Sequence, residues 1–275
     1  MSAATSERLD ASAFDLRPEP AIARDAAVLC LHGLTGTPYE VRPIAEALVA
    51  RGLRARAPWM AGHEAGHEAL ARARFEDWIA LAEDELARLR ATHARVFVVG
   101  VSMGGLVSLR LAQTRAVDGV VVVGTPLALR SPIPLLARWL RPVVPFRTKR
   151  GSDIQDPAAR ARHPGLLAMP LAAVTELVAL QGLVAPALGR IRAPILVTHG
   201  RLDRTAQPRD AARIHEAVAS EDKALVYLER SGHVATVDYD GPDLARRAAD
   251  FLDRLCRAPI QPETRARFRP GGPAA

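Results

Sequence analysis

The stretch from Arg95 to Gly105 reads RVFVVGVSMGG. An apolar, β-branched run leads through GVSMG (100–104) into a helical pattern, and these five residues match G-x-S-x-G. In this setting the motif predicts a turn so tight that Ser102 takes a strained backbone, while glycine at 100 and 104 removes Cβ atoms that would collide with neighbouring elements. The turn presents the Ser102 hydroxyl at the C-terminal edge of a sheet, beside a helix N-terminus.

Short β-branched runs bounded by Gly, Pro or His alternate with longer helical patterns on both sides of this turn. This order is typical of a mostly parallel sheet with helices on both faces. The predicted strands are Ala27 to Leu31, Leu53 to Ala57, Val96 to Val99, Val120 to Val123, Ile195 to Thr198 and Leu225 to Leu228. The predicted helices run from Glu40 to Arg51, Phe75 to Ala91, Met103 to Thr114, Pro208 to Ser220 and Pro242 to Arg257.

The alternation breaks once, between Gly124 and Pro194, over an interval far longer than one crossover helix needs. We predict an inserted helical cap at residues 126–190, carried by an α/β core at 26–125 and 191–256. Residues 1–25 are an N-terminal extension. Residues 257–275 have too little apolar content to pack and are predicted to be a disordered tail.

Composition limits the class of protein. The 275 residues are 49% hydrophobic and 24% charged, which excludes a collagen-like or disordered chain and fits one enzyme-sized domain with an insertion. The net charge of +7 includes +6 from residues 126–190 and +3 from residues 257–275, so the rest carries −2. No nucleic-acid-binding module accompanies this charge, and no nucleic-acid partner is expected.

The two cysteines, Cys30 and Cys256, give neither a disulfide framework nor metal-ligand spacing. The N-terminus lacks the apolar region of a secretory signal, and no apolar run is expected to approach the ~20 residues of a membrane span. A soluble cytoplasmic protein is therefore expected.

A serine hydroxyl is a weak nucleophile that needs a base, and the base needs a third group to orient it. His233, in SGH (231–233), and Asp203, in GRLD (200–203), each follow a predicted strand and fall at the same sheet edge as Ser102. The order Ser102, Asp203, His233 is the order in which this type of fold supplies the three groups. Asp238 and Asp240 remain alternatives for the acid.

The remaining histidines are weaker candidates for the base. His199 ends a strand without a loop beyond it, and His215 lies in the middle of a predicted helix. His93 falls in a polar segment and His163 in the predicted cap.

An oxyanion needs two N–H donors. Met103, the residue after the nucleophile, is expected to supply one. Leu34 is expected to supply the other from the loop HGLTG (32–36), where Gly33 and Gly36 let the backbone turn its amides inward and His32 braces the loop.

The motifs HGLTG (32–36), GVSMGG (100–105), GRLDRTAQP (200–208) and SGH (231–233) together resemble the α/β-hydrolase superfamily, and within it the capped bacterial carboxylesterases and monoacylglycerol lipases. The resemblance covers residues 26–256. It implies the α/β-hydrolase fold, a Ser102-His233-Asp203 triad and an oxyanion hole of the Leu34 and Met103 amides, with no cofactor and no metal.

The predicted function is a serine hydrolase that cleaves carboxylic esters of short to medium acyl chains, monoacylglycerols among them, through an acyl-enzyme. No substrate-binding residue is assigned. Acyl transfer or perhydrolysis on the same triad stays an alternative, because pocket shape selects whether water, an alcohol, a thiol or a peroxide is the acceptor.

A competing motif, HEAGH (63–67), matches the zinc signature H-E-x-x-H. That chemistry needs both histidines one turn apart on a helix. Gly62 and Gly66 disfavour a helix, since each glycine costs about 1 kcal/mol relative to alanine there. A loop that helps to shape the pocket is expected, and a zinc metalloprotease is the disfavoured alternative.

The cap stretch from Ser131 to Phe146 combines aliphatic residues with Trp139, Arg138 and Arg141. Trp and Arg suit an oil-water boundary because both have apolar bodies and polar ends. This pattern motivates the hypothesis of transient contact between the cap and an anionic lipid surface, while packing on the sheet with solvated arginines is the alternative.

Overall fold

The computed structural model describes residues 9–129, 145–149 and 151–258. Its strands are β1 Phe14–Leu16, β2 Ala26–Leu31, β3 Arg54–Ala57, β4 Arg95–Val101, β5 Val120–Val123, β6 Phe146–Thr148, β7 Ala168–Pro170, β8 Ile195–Gly200 and β9 Lys223–Leu228. Its α-helices are α1 Arg42–Val49, α2 His67–Arg72, α3 Phe75–Arg90, α4 Met103–Thr114, α5 Pro157–Arg162, α6 Leu171–Val184, α7 Arg209–Ala217 and α8 Gly241–Arg257. Single 3₁₀ turns cover Pro38–Val41, Ala185–Arg190 and Ala235–Val237.

Seven strands form one sheet in the order β1-β3-β2-β4-β5-β8-β9. The pairs from β3 to β9 are parallel, and β1 is antiparallel to β3 at one edge. Because parallel strands end at the same edge, the loops after β2, β4, β8 and β9 all meet there. These loops, with the first residue of α4, carry every residue that the sequence predicts for the site.

The central strands are buried on both faces, which explains why they are apolar without alternation. On one face, Leu29 and Val98 pack with helices α3, α4, α6 and α7. On the other face, Val28 and Val99 pack with α1 and α8. Helix α8 shows the one-sided apolar stripe of a helix that covers a sheet, with Leu244, Ala248 and Leu252 buried.

Part of the predicted cap lies within the described ranges. A two-stranded ribbon of β6 and β7 leads into α6, which packs on α4 through the Gln113 side-chain amide, a donor to the Val184 carbonyl at 2.9 Å. The cap boundaries stay a prediction. Most of the stretch 131–146, on which the lipid hypothesis rests, and the tail beyond residue 258 lie outside the described residues.

One helical stretch differs from the expectation about membrane spans. The 20 residues Leu171–Arg190 are long and apolar enough to cross a bilayer by length and composition, because α6 continues into the 3₁₀ turn that follows it. Leu177, Leu180 and Val184 are nevertheless buried against the core. A core helix passes the same test of length and composition, so the stretch is weak evidence for a membrane span.

All the predicted strands and helices are present, with ends that differ by a few residues. The sequence did not predict β1, which adds an antiparallel edge strand from within the N-terminal extension. The short elements α2, α5, β6 and β7 were also missed, because three to six residues are too few for a periodic pattern.

Candidate active site

Ser102 lies at the sharp turn between β4 and α4. Its backbone has φ 53° and ψ −115°, a conformation rare for residues other than glycine, and its N–H donates to the Val123 carbonyl at 2.8 Å. A Cβ at Gly100 would lie 2.2 Å from the Gly104 carbonyl oxygen, and one at Gly104 would lie 2.1 Å from the Leu31 carbonyl oxygen. The strained turn and its need for both glycines are therefore confirmed.

The loop after β9 brings the His233 imidazole to this hydroxyl. His233 Nε2 lies 2.9 Å from Ser102 Oγ, and His233 Nδ1 lies 2.8 Å from Asp203 Oδ2. Because an ionised carboxylate only accepts hydrogen bonds, Nδ1 carries the ring proton. Nε2 is then free to accept the proton of the Ser102 hydroxyl.

The loop after β8 holds the Asp203 carboxylate in one orientation. Its Oδ1 accepts the backbone N–H groups of Thr205 and Ala206, each at 2.8 Å. Its Oδ2 faces the imidazole of His233. The structure thus brings Ser102, His233 and Asp203 into one continuous chain of hydrogen bonds.

The charges of Asp203 and His233 shift each other's pKa. Burial lowers the pKa of His233, but the Asp203 carboxylate, together with the charges of Asp153 and Glu40, raises it by more, so the net shift is upward. Burial raises the pKa of Asp203, but His233 and His199 together lower it by more, so the net shift is downward. At neutral pH Asp203 is an anion, and His233 is a stronger base than a free imidazole.

A second histidine contacts the same carboxylate. His199, fully buried at the end of β8, has its Nε2 2.9 Å from Asp203 Oδ2. The two atoms are within ion-pair distance, but their geometry does not meet the criteria for a hydrogen bond. The sequence placed His199 at a strand end as a weak candidate base; the structure places it behind the acid, with no contact to Ser102 within the described ranges.

The two alternative acids, Asp238 and Asp240, form hydrogen bonds to the loop that carries His233. Asp238 Oδ2 accepts the Gly232 N–H at 2.8 Å, and Asp240 Oδ2 accepts the Ser231 hydroxyl at 2.8 Å. Neither carboxylate contacts the His233 ring within the described residues. Of the three aspartates, Asp203 is therefore the one placed to orient His233.

Asp153, from the predicted cap, links the loop that carries Asp203 to the loop that carries His233. Its Oδ2 accepts the Arg204 N–H at 2.7 Å, and its backbone carbonyl accepts the Val234 N–H at 3.2 Å. Its charge also contributes to the raised pKa of His233. No sequence signal pointed to this residue, because it lies far along the chain from every motif and in no periodic element.

The loop after β2 is held by His32. Its Nε2 accepts the Met60 N–H at 3.0 Å, so the ring proton is on Nδ1, which lies 3.0 Å from the Gly33 carbonyl oxygen. The Gly36 N–H donates to the same oxygen at 3.0 Å. In a trans peptide the carbonyl and the following N–H point in opposite directions. Fixing the Gly33 carbonyl therefore fixes the direction of the Leu34 N–H.

Two amide groups remain available beside the nucleophile. Neither the Leu34 N–H nor the Met103 N–H has an acceptor among the residues that the structure describes. The loop lies against the turn, since a Cβ on Gly33 would be 3.2 Å from Ser102 Cβ. These are the two donors that the sequence predicts for an oxyanion hole, and a developing oxyanion would give them the acceptor that they lack.

HEAGH (63–67) does not form one helix. Residues 61–65 form a turn and α2 begins only at His67, which is exposed. His63 is buried, with its Nδ1 3.1 Å from the Met60 carbonyl oxygen and its ring centroid 4.9 Å from that of His32. The helical geometry of a zinc protease is thus missing, and in the described parts of the chain no three metal-ligating side chains come together.

The other histidines lie elsewhere. His93 follows α3 and His215 lies on α7, and neither contacts Ser102 or Asp203 within the described residues. His163, in the predicted cap, lies 3.2 Å from the buried carboxylate of Glu40.

The chain is similar to several known proteins. A model of the serine aminopeptidase S33 family matches residues 22–240. A thermostable monoacylglycerol lipase from Bacillus sp. strain H-257 is 32% identical over 229 residues, covering 82% of this chain and 89% of the relative. A carboxylesterase from Bacillus subtilis strain 168 is 29% identical over 238 residues, covering 84% and 94%.

The fold is shared with solved structures. One that belongs to the metagenome-derived lipolytic enzymes LipS and LipT superposes with a TM-score of 0.81 at 25% identity, covering 89% of this chain and 98% of the other. The predicted α/β-hydrolase fold is thereby confirmed.

Proposed function

Because the chain belongs to the serine aminopeptidase S33 family of α/β-hydrolases, we propose that it hydrolyses carboxylic esters of short to medium acyl chains, monoacylglycerols among them. The monoacylglycerol lipase and carboxylesterase relatives, each aligned over more than four fifths of this chain, support carboxylic esters as the substrate class. The observation that carries the proposal is the hydrogen-bond chain from Ser102 through His233 to Asp203, beside two amide N–H groups without an acceptor among the described residues.

In the first step, His233 Nε2 takes the Ser102 proton while Ser102 Oγ attacks the ester carbonyl carbon. Asp203 stabilises the imidazolium that forms, because its carboxylate is ionised and lies 2.8 Å from Nδ1. Proton transfer from Ser102 to His233 needs no rearrangement of these side chains, since both hydrogen bonds are already made.

The tetrahedral intermediate places negative charge on the former carbonyl oxygen. The Leu34 and Met103 N–H groups donate to this oxygen, and because neither bonds to a described residue, no such bond has to break. His233 then gives its proton to the leaving alcohol, which leaves an acyl group on Ser102.

Hydrolysis of the acyl-enzyme repeats these steps with water. His233 takes a proton from water as water attacks the acyl carbon, and returns it to Ser102 Oγ as the carboxylic acid departs. Every proton in the cycle passes through His233, so the mechanism uses only groups of the chain and water.

Aliphatic side chains in and beside the loop after β2 support an acyl substrate. Leu34 and Leu166 are partly buried and pack against the apolar core, and the Leu166 N–H donates to the Thr35 carbonyl at 2.8 Å. An acyl chain placed there would replace water on apolar surface, which favours binding.

A p-nitrophenyl ester series from C2 to C16 tests the proposal, with wild type and Ser102→Ala assayed together. We expect wild type to prefer short to medium chains. Ser102→Ala is expected to lose at least about 10³-fold in kcat, because it removes the atom that forms the acyl-enzyme.

Ser108→Ala is a matched control, because Ser108 lies on α4, the helix that follows Ser102, with its hydroxyl bonded to the Gly104 carbonyl. It should keep most of the activity. Undiminished hydrolysis by Ser102→Ala would refute the proposed mechanism, and a wild type inactive on every ester of the series would refute the proposed substrate class.

A further inference from the structure

Backbone strain marks two places in the chain. Thr35 and Ser102, at φ 61° and φ 53°, are the two residues other than glycine with positive φ in the ranges that the structure describes. For a β-branched residue such as threonine this conformation is a true outlier. Because Thr35 follows Leu34 directly, whatever holds Thr35 in this conformation also affects the Leu34 peptide.

The predicted cap supplies two groups that hold Thr35. Lys149 Nζ donates to Thr35 Oγ1 at 2.7 Å, and the Leu166 N–H donates to the Thr35 carbonyl at 2.8 Å. Thr35 is fully buried, and its hydroxyl in turn donates to the Leu34 carbonyl at 2.6 Å. A chain of hydrogen bonds thus runs from a cap lysine to the Leu34 carbonyl, one peptide bond beyond the Leu34 N–H.

A buried carboxylate holds the other side of the same loop. Glu40 Oε2 accepts the Gly33 N–H at 3.0 Å, and the carboxylate fills the space beside Gly36, where a Cβ would lie 2.2 Å from Oε2. Burial raises the pKa of Glu40, but His163, His32 and the Gly33 N–H together lower it to about 2. The carboxylate is therefore ionised at neutral pH.

His163 joins this carboxylate to the cap. Its Nδ1 accepts the Gly165 N–H at 3.3 Å and lies 2.8 Å from the Ser152 hydroxyl. A nitrogen that accepts an N–H carries no proton, so the ring proton is on Nε2. This atom lies 3.2 Å from Glu40 Oε1, within ion-pair distance but without hydrogen-bond geometry. The side chains of His163 and Glu40 are both almost fully buried.

We propose that Glu40, Lys149 and His163, here called the cap latch, are positioning residues that hold the oxyanion loop (33–36) so that the Leu34 N–H faces the reacting carbonyl. This inference rests on the proposed function, because it takes Leu34 as an oxyanion donor. The latch acts through the loop and touches no reacting atom. Its contribution therefore belongs to the transition state, where the oxyanion forms, more than to substrate binding.

Lys149→Met and Glu40→Gln test the latch. A small misplacement of a catalytic group can cost up to about 100-fold in rate, and we expect kcat to fall about 10-fold or more in each variant while KM changes less than about twofold. The inhibition constant of an alkyl trifluoromethyl ketone, whose hemiketal oxygen mimics the oxyanion, should rise in parallel with the loss of kcat. Lys149→Arg keeps a cationic donor and should recover part of that loss.

The chain offers matched controls. Arg147→Met removes an exposed cation two residues from Lys149, and Glu46→Gln removes an exposed carboxylate on α1. Both should match wild type in kcat and in ketone inhibition. If Glu40→Gln fails to fold, Lys149→Met still tests the proposal. That variant should fold, because Lys149 is only partly buried and donates one side-chain hydrogen bond to the described residues.

Three results would contradict the proposal, and they are distinguishable. Unchanged kcat and ketone inhibition in Lys149→Met, with Ser102→Ala inactive, would overturn the latch alone. A lower melting temperature with unchanged kcat would do the same, since it would show a structural role only. Retained activity in Ser102→Ala would overturn the proposed function together with the latch.

Discussion

One imidazole performs every proton transfer proposed at this site, and its surroundings set its basicity. The Asp203 carboxylate bonded to Nδ1 is the largest contribution that raises the pKa of His233 against the effect of burial, and the charges of Asp153 and Glu40 add to it. A base must be unprotonated to accept the Ser102 proton. Activity should therefore rise with pH through the raised pKa of His233.

Asp203→Asn tests this assignment. We expect kcat to fall by about 10⁴-fold, because an amide in place of the carboxylate no longer favours the proton on Nδ1. The acidic limb of the plot of kcat/KM against pH should also move to lower pH, because the largest contribution that raises the pKa of His233 is gone. The measurement is a pH series of kcat/KM on the preferred ester.

Asp250→Asn on α8 is the control for Asp203→Asn, because this carboxylate is exposed. This variant should have the same kcat as wild type and the same acidic limb in the plot of kcat/KM against pH. An Asp203→Asn variant that kept an unshifted limb and most of its activity would contradict the role of Asp203.

At the scale of elements, the turn between β4 and α4 depends on close backbone approaches. Gly104, in the first turn of α4, lies against the carbonyl of Leu31 at the end of β2. Helix and strand can approach so closely only where neither backbone carries a side chain between them. The position of Ser102 thus depends on the close packing of α4 against the end of β2.

Gly104→Ala and Gly182→Ala separate this packing requirement from helix propensity. Gly104→Ala should destabilise the fold by about 3 kcal/mol or more, because its Cβ would lie 2.1 Å from a backbone oxygen that cannot move freely. Gly182 lies within α6, and a Cβ added there would meet no described atom of another element within 4 Å. Gly182→Ala should therefore stabilise the protein by about 0.5–1 kcal/mol.

Urea denaturation of both glycine variants measures these free energies of unfolding. A Gly104→Ala protein as stable as wild type would show that α4 can move away from β2. A destabilised Gly182→Ala protein would show that residue 182 needs its glycine for a contact outside the described residues.

For the molecule as a whole, buried neutral histidines link stability to pH. Burial lowers the pKa of His63 to about 3, and repulsion from nearby His32, when both rings are protonated, adds to that effect. The pKa of His32 is also lowered, again chiefly by burial. An unfolded histidine binds a proton below its ordinary pKa of 6.5 and the folded one does not, so folding loses stability as the pH falls below 6.5.

His63→Asn should make the protein less sensitive to acid. Asparagine keeps a side-chain donor near the Met60 carbonyl but has no proton to gain. Between pH 7 and pH 4 we expect the variant to lose about 3 kcal/mol less stability than wild type, with His32 accounting for a remaining slope. Melting temperatures across this range measure the difference.

His67→Asn, at an exposed position of the same motif, is the control and should follow the wild-type curve. Parallel curves for His63→Asn and wild type would contradict the proposed contribution of His63.

Much of the fold and of the candidate site could be predicted from local sequence. The apolar runs of β4 and β5 predict buried strands because only a sheet covered on both faces makes such runs stable. The motif around Ser102 predicts a turn because the chain can pass so close to its neighbours only at glycine. Asp203 and His233 could be placed because parallel strands end at one edge, so residues that follow different strands meet.

Only the tertiary structure decided which side chains support these groups. No motif pointed to the residues that support the site: Glu40, Lys149, Asp153, His163 and His199. Most of them act on the site through a contact with a distant part of the sequence. Such contacts depend on how the cap segment packs against the sheet edge, and no local sequence pattern predicts that packing. The sequence by itself determined the central strands, the turn at Ser102 and the placement of Asp203 and His233 at the same sheet edge, because strand, turn and helix propensities are local. The orientation of the loop 33–36 is set by packing between distant segments.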